Sequence, residues 1–227
     1  MKNYAFPPRA PVAVAIAGGA RFFPVHRVYC VGRNYAAHAA EMGDDRKEPP
    51  FFFSKPADAV VGDEAAVPVP PRTADFHHEV ELVVALAGGG SSIPPQRALE
   101  AVFGYAVGID YTRRDLQHAA RSSGRPWDTS KGFDRSAAVG DIRPAPGSAA
   151  SGGRIWLSVN GRLRQQADLA DMTWTVPEII AELSTLFELA AGDLIFTGTP
   201  AGVGPLAAGD RIEAGIDGIG TLRNVII

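Results

Sequence analysis

Short runs of β-branched and aromatic residues, separated by glycine and proline, dominate this chain. Apolar runs of this length, bounded by turn residues, are typical of β-strands. They predict strands at 28–31, 51–53, 80–87, 104–109, 155–159, 163–165, 194–197, 211–214 and 221–227. Asn160-Gly161 lies between two of these strands and predicts a type I′ hairpin turn.

Helical patterns are fewer than strand patterns. Helices are predicted over 35–42, from Pro94-Pro95 to about residue 102, and after a capping box of Thr175 with Glu178. Asn34 is a suitable N-cap for the first of these helices and Gly43 a suitable stop. The order lacks the regular βαβ alternation of a doubly wound fold. We therefore expect an α+β fold with a rolled or sandwiched mixed β-sheet and few short helices.

The length of 227 residues suits one well-buried core. We interpret residues 1–25, which prolines and glycines interrupt, as an N-terminal extension and residues 26–227 as a single domain. The formal charge of -3, with acidic and basic residues interspersed, provides no electrostatic footprint for nucleic acid or an anionic membrane surface. A small polar molecule is a better candidate partner.

Cysteine usage and hydropathy indicate the compartment. Cys30 is the one cysteine, which excludes an internal disulfide and favours a reducing, cytoplasmic setting. It lies in an apolar run and is expected to be a buried strand residue rather than a nucleophile. The most apolar early stretch, residues 11–20, is too short to span a bilayer and lacks the features of an export signal. We therefore expect a cytoplasmic protein with no membrane partner.

Three carboxylates are candidate metal ligands. Glu79 and Glu81 are two residues apart in an apolar strand pattern, so their side chains emerge from the same face of the strand. Asp110 closes the apolar run 104–109. Like charges this close are costly unless a cation lies between them, and oxygen ligands alone suit Mg2+ or Ca2+. The alternative is a solvated strand face that binds no metal.

His38 and Glu41 are candidates for general base catalysis. They are three residues apart on the first predicted helix, so their side chains can touch. A carboxylate beside an imidazole raises the basicity of the ring and orients it. The helix is short and follows the segment 31–35, which contains Arg33, so it could close over a site as a lid. An ordinary surface contact is the alternative.

The segment that follows Asp110 suits an anionic substrate. Arg113, Arg114 and Gln117 lie just beyond this carboxylate. Cations there can neutralise a substrate carboxylate held at a metal. The alternative is a structural network in which the two arginines balance Asp110 and Asp115.

Two glycine-bounded loops add further candidates. Lys131 lies in an aromatic loop and could donate to a developing oxyanion, although an ordinary surface lysine is the alternative. Thr199 lies in a glycine-rich loop that follows a predicted strand. Such a loop lets backbone N–H groups and the hydroxyl approach a small anionic ligand closely.

These motifs together resemble the fumarylacetoacetate hydrolase superfamily from about residue 26 to the end. The motifs are, in order, Val31-Gly32-Arg33-Asn34-Tyr35 with His38 and Glu41, Lys55-Pro56, His78-Glu79-x-Glu81-Leu82, Asp110-x-Thr112-x-Arg114-Asp115-x-Gln117, the Lys131 loop, and Thr197-Gly198-Thr199-Pro200-x-Gly202-Val203-Gly204. The chain looks most like the short acylpyruvate hydrolases of this superfamily. Its segment 124–134 is similar to bacterial fumarylpyruvate hydrolases of gentisate catabolism.

The resemblance implies a mixed β-roll fold and a homodimer. It also implies Mg2+ or Mn2+ held by Glu79, Glu81 and Asp110, a catalytic dyad of His38 and Glu41, and substrate binding by Lys131, Arg114 and Gln117. We add Arg33, Arg113 and Thr199 to the substrate-binding candidates, and Ca2+ as an alternative ion.

The implied reaction is metal-dependent hydrolysis of a carbon–carbon bond in a 2,4-diketo acid. The best candidate substrate is 3-fumarylpyruvate, which would give fumarate and pyruvate. Arg113, Arg121 or Arg125 would then pair with the distal carboxylate. Acetylpyruvate hydrolysis and oxaloacetate decarboxylation are alternatives at the same site, and a non-catalytic protein that binds small acids is a remoter one.

Overall fold

Two large β-sheets form the body of the protein, and the computed structural model describes residues 4–35 and 49–227. The eight-stranded sheet contains, in spatial order, β4 (Phe51–Lys55), β3 (Val28–Gly32), β15 (Leu194–Phe196), β8 (Val80–Leu86), β9 (Val102–Asp110), β11 (Ala137–Val139) and β5 (Val60–Val61), with β12 (Arg143–Pro144) also paired to β9. The five-stranded sheet contains β14 (Arg162–Asp168), β13 (Arg154–Val159), β17 (Arg211–Ile216), β18 (Gly220–Ile226) and β6 (Ala65–Val67).

Smaller elements complete the described part of the chain. A three-stranded sheet contains β10 (Thr112–Arg113), β7 (Phe76–His78) and β16 (Gly204–Pro205), and a hairpin contains β1 (Ala13–Ala15) and β2 (Phe22–Pro24). The α-helices are α1 (Arg114–Ser122), α2 (Asp128–Lys131) and α3 (Val176–Leu186), and 3-10 helices span Ala57–Ala59, Pro95–Ala101 and Leu169–Asp171. Mixed sheets with few helices confirm the predicted α+β fold.

The eight-stranded sheet is buried on both faces. Side chains alternate along β8, so Leu82 and Val84 face the five-stranded sheet and share a core with Leu157 of β13. Val83 points to the opposite face, where it shares a second core with Phe23 of the N-terminal hairpin. Burial on both faces explains why β8 is apolar nearly throughout and shows no alternation of hydrophobic and polar residues.

The N-terminal hairpin packs on the outer face of the eight-stranded sheet. Val14 and Phe23 are buried, and the ring of Phe23 lies 5.5 Å from that of Phe103. Ile16 forms an isolated parallel bridge with Ile142. These contacts tie the segment to the core of the rest of the chain, while the predicted domain boundary at residue 25 stays a prediction.

The nine predicted strands are all present. Asn160 and Gly161 have φ angles of 53° and 74°, which confirms the type I′ turn between β13 and β14. The capping box of Thr175 with Glu178 begins α3 as predicted. Cys30 is fully buried in β3, and burial raises the pKa of its thiol, as expected of an inert core residue.

The structure refines one helix prediction and adds a helix that the sequence did not predict. The helix that begins after Pro94 is wound as a 3-10 helix over Pro95–Ala101 rather than as an α-helix. The sequence also did not predict α1, because its buried residues include the polar Arg114 and Gln117 and so give no apolar stripe. Apart from Tyr35, the helix predicted over 35–42 lies outside the described residues. Among the residues that are described, no helix is long and apolar enough to cross a membrane.

Candidate active site

The three candidate metal ligands lie together at one end of the eight-stranded sheet. Glu81 of β8 pairs with Gly108 of β9, and the Glu79 carbonyl accepts a 2.8 Å hydrogen bond from the backbone N–H of Asp110. Because residues two apart in a strand share a face, this register directs all three side chains to one side. Their candidate ligand atoms lie within 4.8 Å of one another, and all three residues are buried.

Three cations face these carboxylates. The Lys131 ammonium lies 2.7 Å from Glu79 Oε2 and 2.7 Å from Asp110 Oδ2. The Lys55 ammonium lies 2.7 Å from Asp110 Oδ1, but at an angle outside hydrogen-bond geometry, so this oxygen is paired by charge alone. Arg114 donates a hydrogen bond to Glu79 Oε1. Among the described residues, three carboxyl groups therefore face three cationic side chains.

Burial and mutual repulsion set the protonation of the group. Burial, with the negative charges of Asp110 and Glu79, raises the pKa of Glu81 well above its ordinary value. Burial acts against the charged form of Lys131, but Asp110 and Glu79 raise its pKa, so the ammonium stays charged at neutral pH. Glu81 accepts a 2.8 Å hydrogen bond from the N–H of Gly198 and has no cation at salt-bridge distance among the described residues.

These residues fit a hard divalent cation. The donor set consists of carboxylate oxygens only, which is the set that Mg2+, Mn2+ and Ca2+ prefer. Asp110 Oδ1 is buried and accepts no hydrogen bond, and no cation of the described ranges lies at salt-bridge distance from Glu81. Both are groups whose burial a bound cation would offset. The group is therefore suited to hold such an ion.

Helix α1 delivers two further polar side chains to the site. Arg114 and Gln117 are three residues apart, so they share a face, and both are buried. The Gln117 Oε1 accepts a hydrogen bond from Arg114, which leaves the amide nitrogen of Gln117 as the end that can donate to a ligand. The amide orientation here is the one that this hydrogen bond assigns.

The loop that contains Thr199 is held by a side chain of the other sheet. Gln165 of β14 donates hydrogen bonds of 2.8 Å to Thr199 Oγ1 and to the Pro200 carbonyl. Its Oε1 accepts from the N–H of Val80 and lies 2.9 Å from His78 Nδ1, which must therefore carry the proton. Burial lowers the pKa of His78 to about 4, so the ring is neutral at pH 7.

Thr199 itself has limited capacity to donate. Its hydroxyl donates to the Val80 carbonyl at 2.8 Å and accepts from Gln165. With its proton committed, the hydroxyl retains only an acceptor lone pair for a ligand. The neighbouring Gly198 has a φ of 96°, and a Cβ there would lie 2.7 Å from Cβ of Asn34. A glycine is thus required where the backbone meets Glu81.

A cavity opens above the carboxylates. Its lining residues include the three carboxylates, Arg33, Arg114, Gln117, Lys131, Thr199, Phe53 and Trp127. Arg33, Phe53 and Trp127 also line a second, more open pocket. Phe51, Arg121 and Arg125 line this second pocket as well. The ring of Trp127 lies 5.1 Å from that of Phe51 and 5.7 Å from that of Phe53. The site therefore consists of a charged floor and an aromatic mouth that carries arginines.

The structure does not bring every candidate to this cavity. Arg113 lies in β10, where its guanidinium stacks 4.5 Å from the ring of Phe133 and donates to the Thr129 carbonyl, and it is not a lining residue. His38 and Glu41 lie outside the described residues. Sequence reasoning assigned no role to Lys55 or Gln165, although both make direct contacts within the site.

An α+β fold with a buried triad of carboxylates and matched cations defines a candidate divalent-metal enzyme. Residues 27–227 match the fumarylacetoacetate (FAA) hydrolase C-terminal family. The chain therefore belongs to the fumarylacetoacetate hydrolase family.

Three relatives illustrate the similarity. The crystal structure of fumarylpyruvate hydrolase from Pseudomonas aeruginosa in complex with Mn2+ and pyruvate has a TM-score of 0.97 and 50% identity, over 99% of each chain. Fumarylpyruvate hydrolase of Ralstonia sp is 44% identical over 176 residues, which are 78% of this chain and 92% of the relative. The mitochondrial oxaloacetate tautomerase of Mus musculus is 42% identical over 199 residues, which are 86% of this chain and 89% of the relative.

Proposed function

We propose that the protein hydrolyses the carbon–carbon bond of an acylpyruvate, with 3-fumarylpyruvate as its preferred substrate. The observation that carries this proposal is the buried group of three carboxylates and three cations at the floor of the cavity. The similarity to fumarylpyruvate hydrolases, one of them solved with Mn2+ and pyruvate, supports it.

Glu79, Glu81 and Asp110 are the residues that would hold the metal ion, and we propose Mg2+ or Mn2+, with Ca2+ as an alternative. Such an ion polarises carbonyl oxygens and stabilises the negative charge that develops as a carbon–carbon bond breaks. It would add two positive charges beside the three cationic side chains that already face the carboxyl groups. An anionic substrate would offset part of this positive charge, which is why an acid is the expected substrate.

The overall reaction splits the substrate between C3 and C4. The hydroxyl of a water molecule adds to the C4 carbonyl carbon, the C3–C4 bond breaks, and C3 takes a proton. The products are fumarate and pyruvate. The family resemblance assigns removal of the water proton to His38, with Glu41 orienting the ring.

We assign stabilisation of the oxyanion that forms at C4 to Lys131 and Gln117. The Lys131 ammonium donates to Glu79, Asp110 and Thr112, so its three hydrogens are committed and it would act on the oxyanion through its charge. That charge stays in place at neutral pH and acts more strongly in a buried position than in water. Gln117 presents a donor nitrogen because its oxygen is held by Arg114. The Arg114 guanidinium lines the same cavity and provides positive charge for the substrate carboxylate.

Chemistry on oxaloacetate is the second candidate function, since the mouse relative is an oxaloacetate tautomerase. Decarboxylation of oxaloacetate also leaves its electron pair on pyruvate, but it needs no attacking water. The role of the dyad therefore discriminates between the reactions. If His38 and Glu41 prove dispensable for the best reaction found, the lyase or tautomerase activity is favoured over hydrolysis.

A substrate panel tests the proposal. Fumarylpyruvate, acetylpyruvate and oxaloacetate are each followed by loss of ultraviolet absorbance, with and without a chelator. We expect the highest kcat/KM on fumarylpyruvate, and activity that a chelator abolishes and Mn2+ restores. Preference for oxaloacetate would replace hydrolysis with the second function. Binding of oxalate without turnover of any acylpyruvate would indicate the non-catalytic acid-binding protein.

The wider setting follows from the same resemblance. We propose a cytoplasmic homodimer that acts in gentisate catabolism. The lone buried cysteine and the similarity to fumarylpyruvate hydrolases support this setting. Size-exclusion chromatography with light scattering measures the oligomeric state, and a monomer at micromolar concentration would refute the dimer.

A further inference from the structure

The second pocket continues the active-site cavity outward. It shares Arg33, Phe53 and Trp127 with that cavity, and it adds Phe51, Arg121 and Arg125. Arg33 stacks over the ring of Phe51, with its guanidinium carbon 5.1 Å from the ring centroid. A ligand that extends from the carboxylate floor therefore enters a space with flat aromatic walls and positive charge.

Helix α1 connects the two pockets. Gln117 and Arg121 are four residues apart on one face, and Arg114 lies on the same face one turn earlier. With a rise of about 1.5 Å per residue, Arg121 is about 6 Å further along the helix than Gln117 and about 10 Å further than Arg114. One helix face thus spans the floor and the mouth of the site.

The end of α1 places Arg125 beside Arg121. The N–H of Arg125 donates to the carbonyl of Ala120 at 2.8 Å, and the N–H of Gly124 donates to the carbonyl of Arg121 at 3.2 Å. These two bonds form a Schellman motif, and Gly124 has the left-handed φ of 61° that the motif needs. The turn reverses the chain, so both arginines line the same pocket.

The charge of this pocket favours an anion. Among the described residues that line it, Arg33, Arg121 and Arg125 are cationic and Asp128 is anionic. Six bonds of about 1.5 Å separate the end carbons of fumarylpyruvate, and the bond angles of an extended zigzag reduce the distance between these carbons to about 7–8 Å. A substrate whose first carboxylate lies near Arg114 thus reaches the region of Arg121 with its second.

Resting on the proposed function, we propose that Arg121 and Arg125 bind the distal carboxylate of the substrate and make the enzyme selective for dicarboxylic acylpyruvates. Phe51 and Trp127 pack against the planar acyl chain between the two ends. Acetylpyruvate lacks the distal carboxylate, so it gains nothing from these arginines. The two residues determine specificity and take no part in bond cleavage.

Substitution of each arginine by glutamine tests this subsite. The measured quantity is the ratio of kcat/KM for fumarylpyruvate to kcat/KM for acetylpyruvate. Arg121 is half-buried, so R121Q should lower the ratio about 10- to 100-fold, whereas the exposed Arg125 contributes about 3- to 10-fold. R97Q is the matched control, because Arg97 is 68% exposed and pairs with Glu100 elsewhere on the protein. An unchanged ratio in the double variant would overturn the subsite.

A binding measurement separates this inference from the proposed function. Fumarate and crotonate, which differ by one carboxylate, are titrated into the Mn2+-loaded protein by calorimetry. We expect the wild type to prefer fumarate and the double variant R121Q/R125Q to lose that preference. If the wild type hydrolyses neither acylpyruvate, the proposed function fails, while fumarate binding still decides the subsite. Equal fumarate affinity in the wild type and the double variant refutes it.

Discussion

Replacement of Lys55 by methionine should destabilise the protein in a way that a divalent ion corrects. The side chains of Lys55 and Asp110 are both fully buried and their charged atoms are 2.7 Å apart. Removal of one partner from a buried ion pair costs about 3–5 kcal/mol, because the other charge stays behind uncompensated. Methionine keeps the approximate length of the side chain, so loss of packing adds little.

The other contacts of Asp110, Lys131 and Tyr111 keep the loss in the free energy of unfolding near the lower end of that range. Asp110 keeps the Lys131 ammonium at 2.7 Å from its other oxygen. The Lys131 carbonyl loses its bond from Lys55 but still accepts a 2.9 Å hydrogen bond from Ser136. The Tyr111 carbonyl loses a long bond of 3.3 Å. We therefore expect a loss of about 3 kcal/mol in the free energy of unfolding.

Urea unfolding at pH 7, with and without Mn2+, measures this effect. An ion at about 100 times its Kd stabilises the native state by about 2.7 kcal/mol. In K55M it also takes over the neutralisation of Asp110, so Mn2+ at a fixed concentration should stabilise the variant more than the wild type. The double variant K55M/D110N should regain part of the lost stability without the ion. A loss below about 1 kcal/mol, or a smaller effect of Mn2+ on K55M than on wild type, would refute this reasoning.

Two further predictions concern the dyad and the start of α1. H38A should lose most of the turnover but keep its affinity for Mn2+, whereas E81A should lose the metal, because Glu81 is one of the three carboxylates of the candidate metal group. Titration calorimetry and initial rates measure the two effects. Burial alone would raise the pKa of Asp115, but hydrogen bonds from Thr73, Ala74 and its own first helical turn bring it below its ordinary value. The stability that the ionised Asp115 carboxylate provides is therefore fully present above its pKa of about 4 in the unfolded chain. It is lost as the pH falls through its lower pKa in the folded protein. D115N should melt at a lower temperature than wild type at pH 7, and the difference should vanish in acid.

The controls for these two predictions are simple. Equal loss of metal in H38A and E81A would contradict the separate roles of the two residues. For Asp115, the matched control is D217N, since Asp217 is 60% exposed and lies 3.8 Å from Arg154 at the surface. A melting difference for D115N that persists unchanged below pH 2 would show that its cause is not the carboxylate charge.

The carboxylate site could be predicted because strand geometry is local. The period of two directs Glu79 and Glu81 to one face whatever the rest of the fold. The pairing of β8 with β9, which brings Asp110 to them, is a long-range contact that no local pattern specifies. The sequence marked Asp110 as a third candidate ligand because it closes an apolar run, the family resemblance supported it, and the structure brings the three carboxylates together.

Helix α1 could not be predicted from hydrophobic periodicity. A helix is recognised by an apolar stripe, but the stripe of α1 that faces inward carries Arg114 and Gln117, which line the site. The sequence names both Arg113 and Arg114 as substrate-binding candidates, although the family resemblance implies only Arg114. They lie on either side of the boundary between β10 and α1, so their side chains diverge, one to Phe133 and the other to the carboxylates.

A usable signal for Lys55 was present in the sequence. Phe51, Phe53 and Lys55 alternate along β4 and therefore share a face. A charged residue at the end of an aromatic row is costly to bury without a partner, so it indicates a buried anion nearby. Gln165 gave no comparable signal, because its partners in the Thr199 loop are distant in sequence.

Gln165 makes the order of assembly a functional matter. It belongs to the five-stranded sheet, yet its amide fixes a loop that closes the site on the eight-stranded sheet. A folding intermediate in which only the eight-stranded sheet has formed would carry all three carboxylates. It would lack the hydrogen bonds from Gln165 that hold the Thr199 loop against them. Ligand affinity would then report the docking of the two sheets. Mutations at their interface, far from any reacting atom, would weaken substrate binding before they lowered the content of secondary structure.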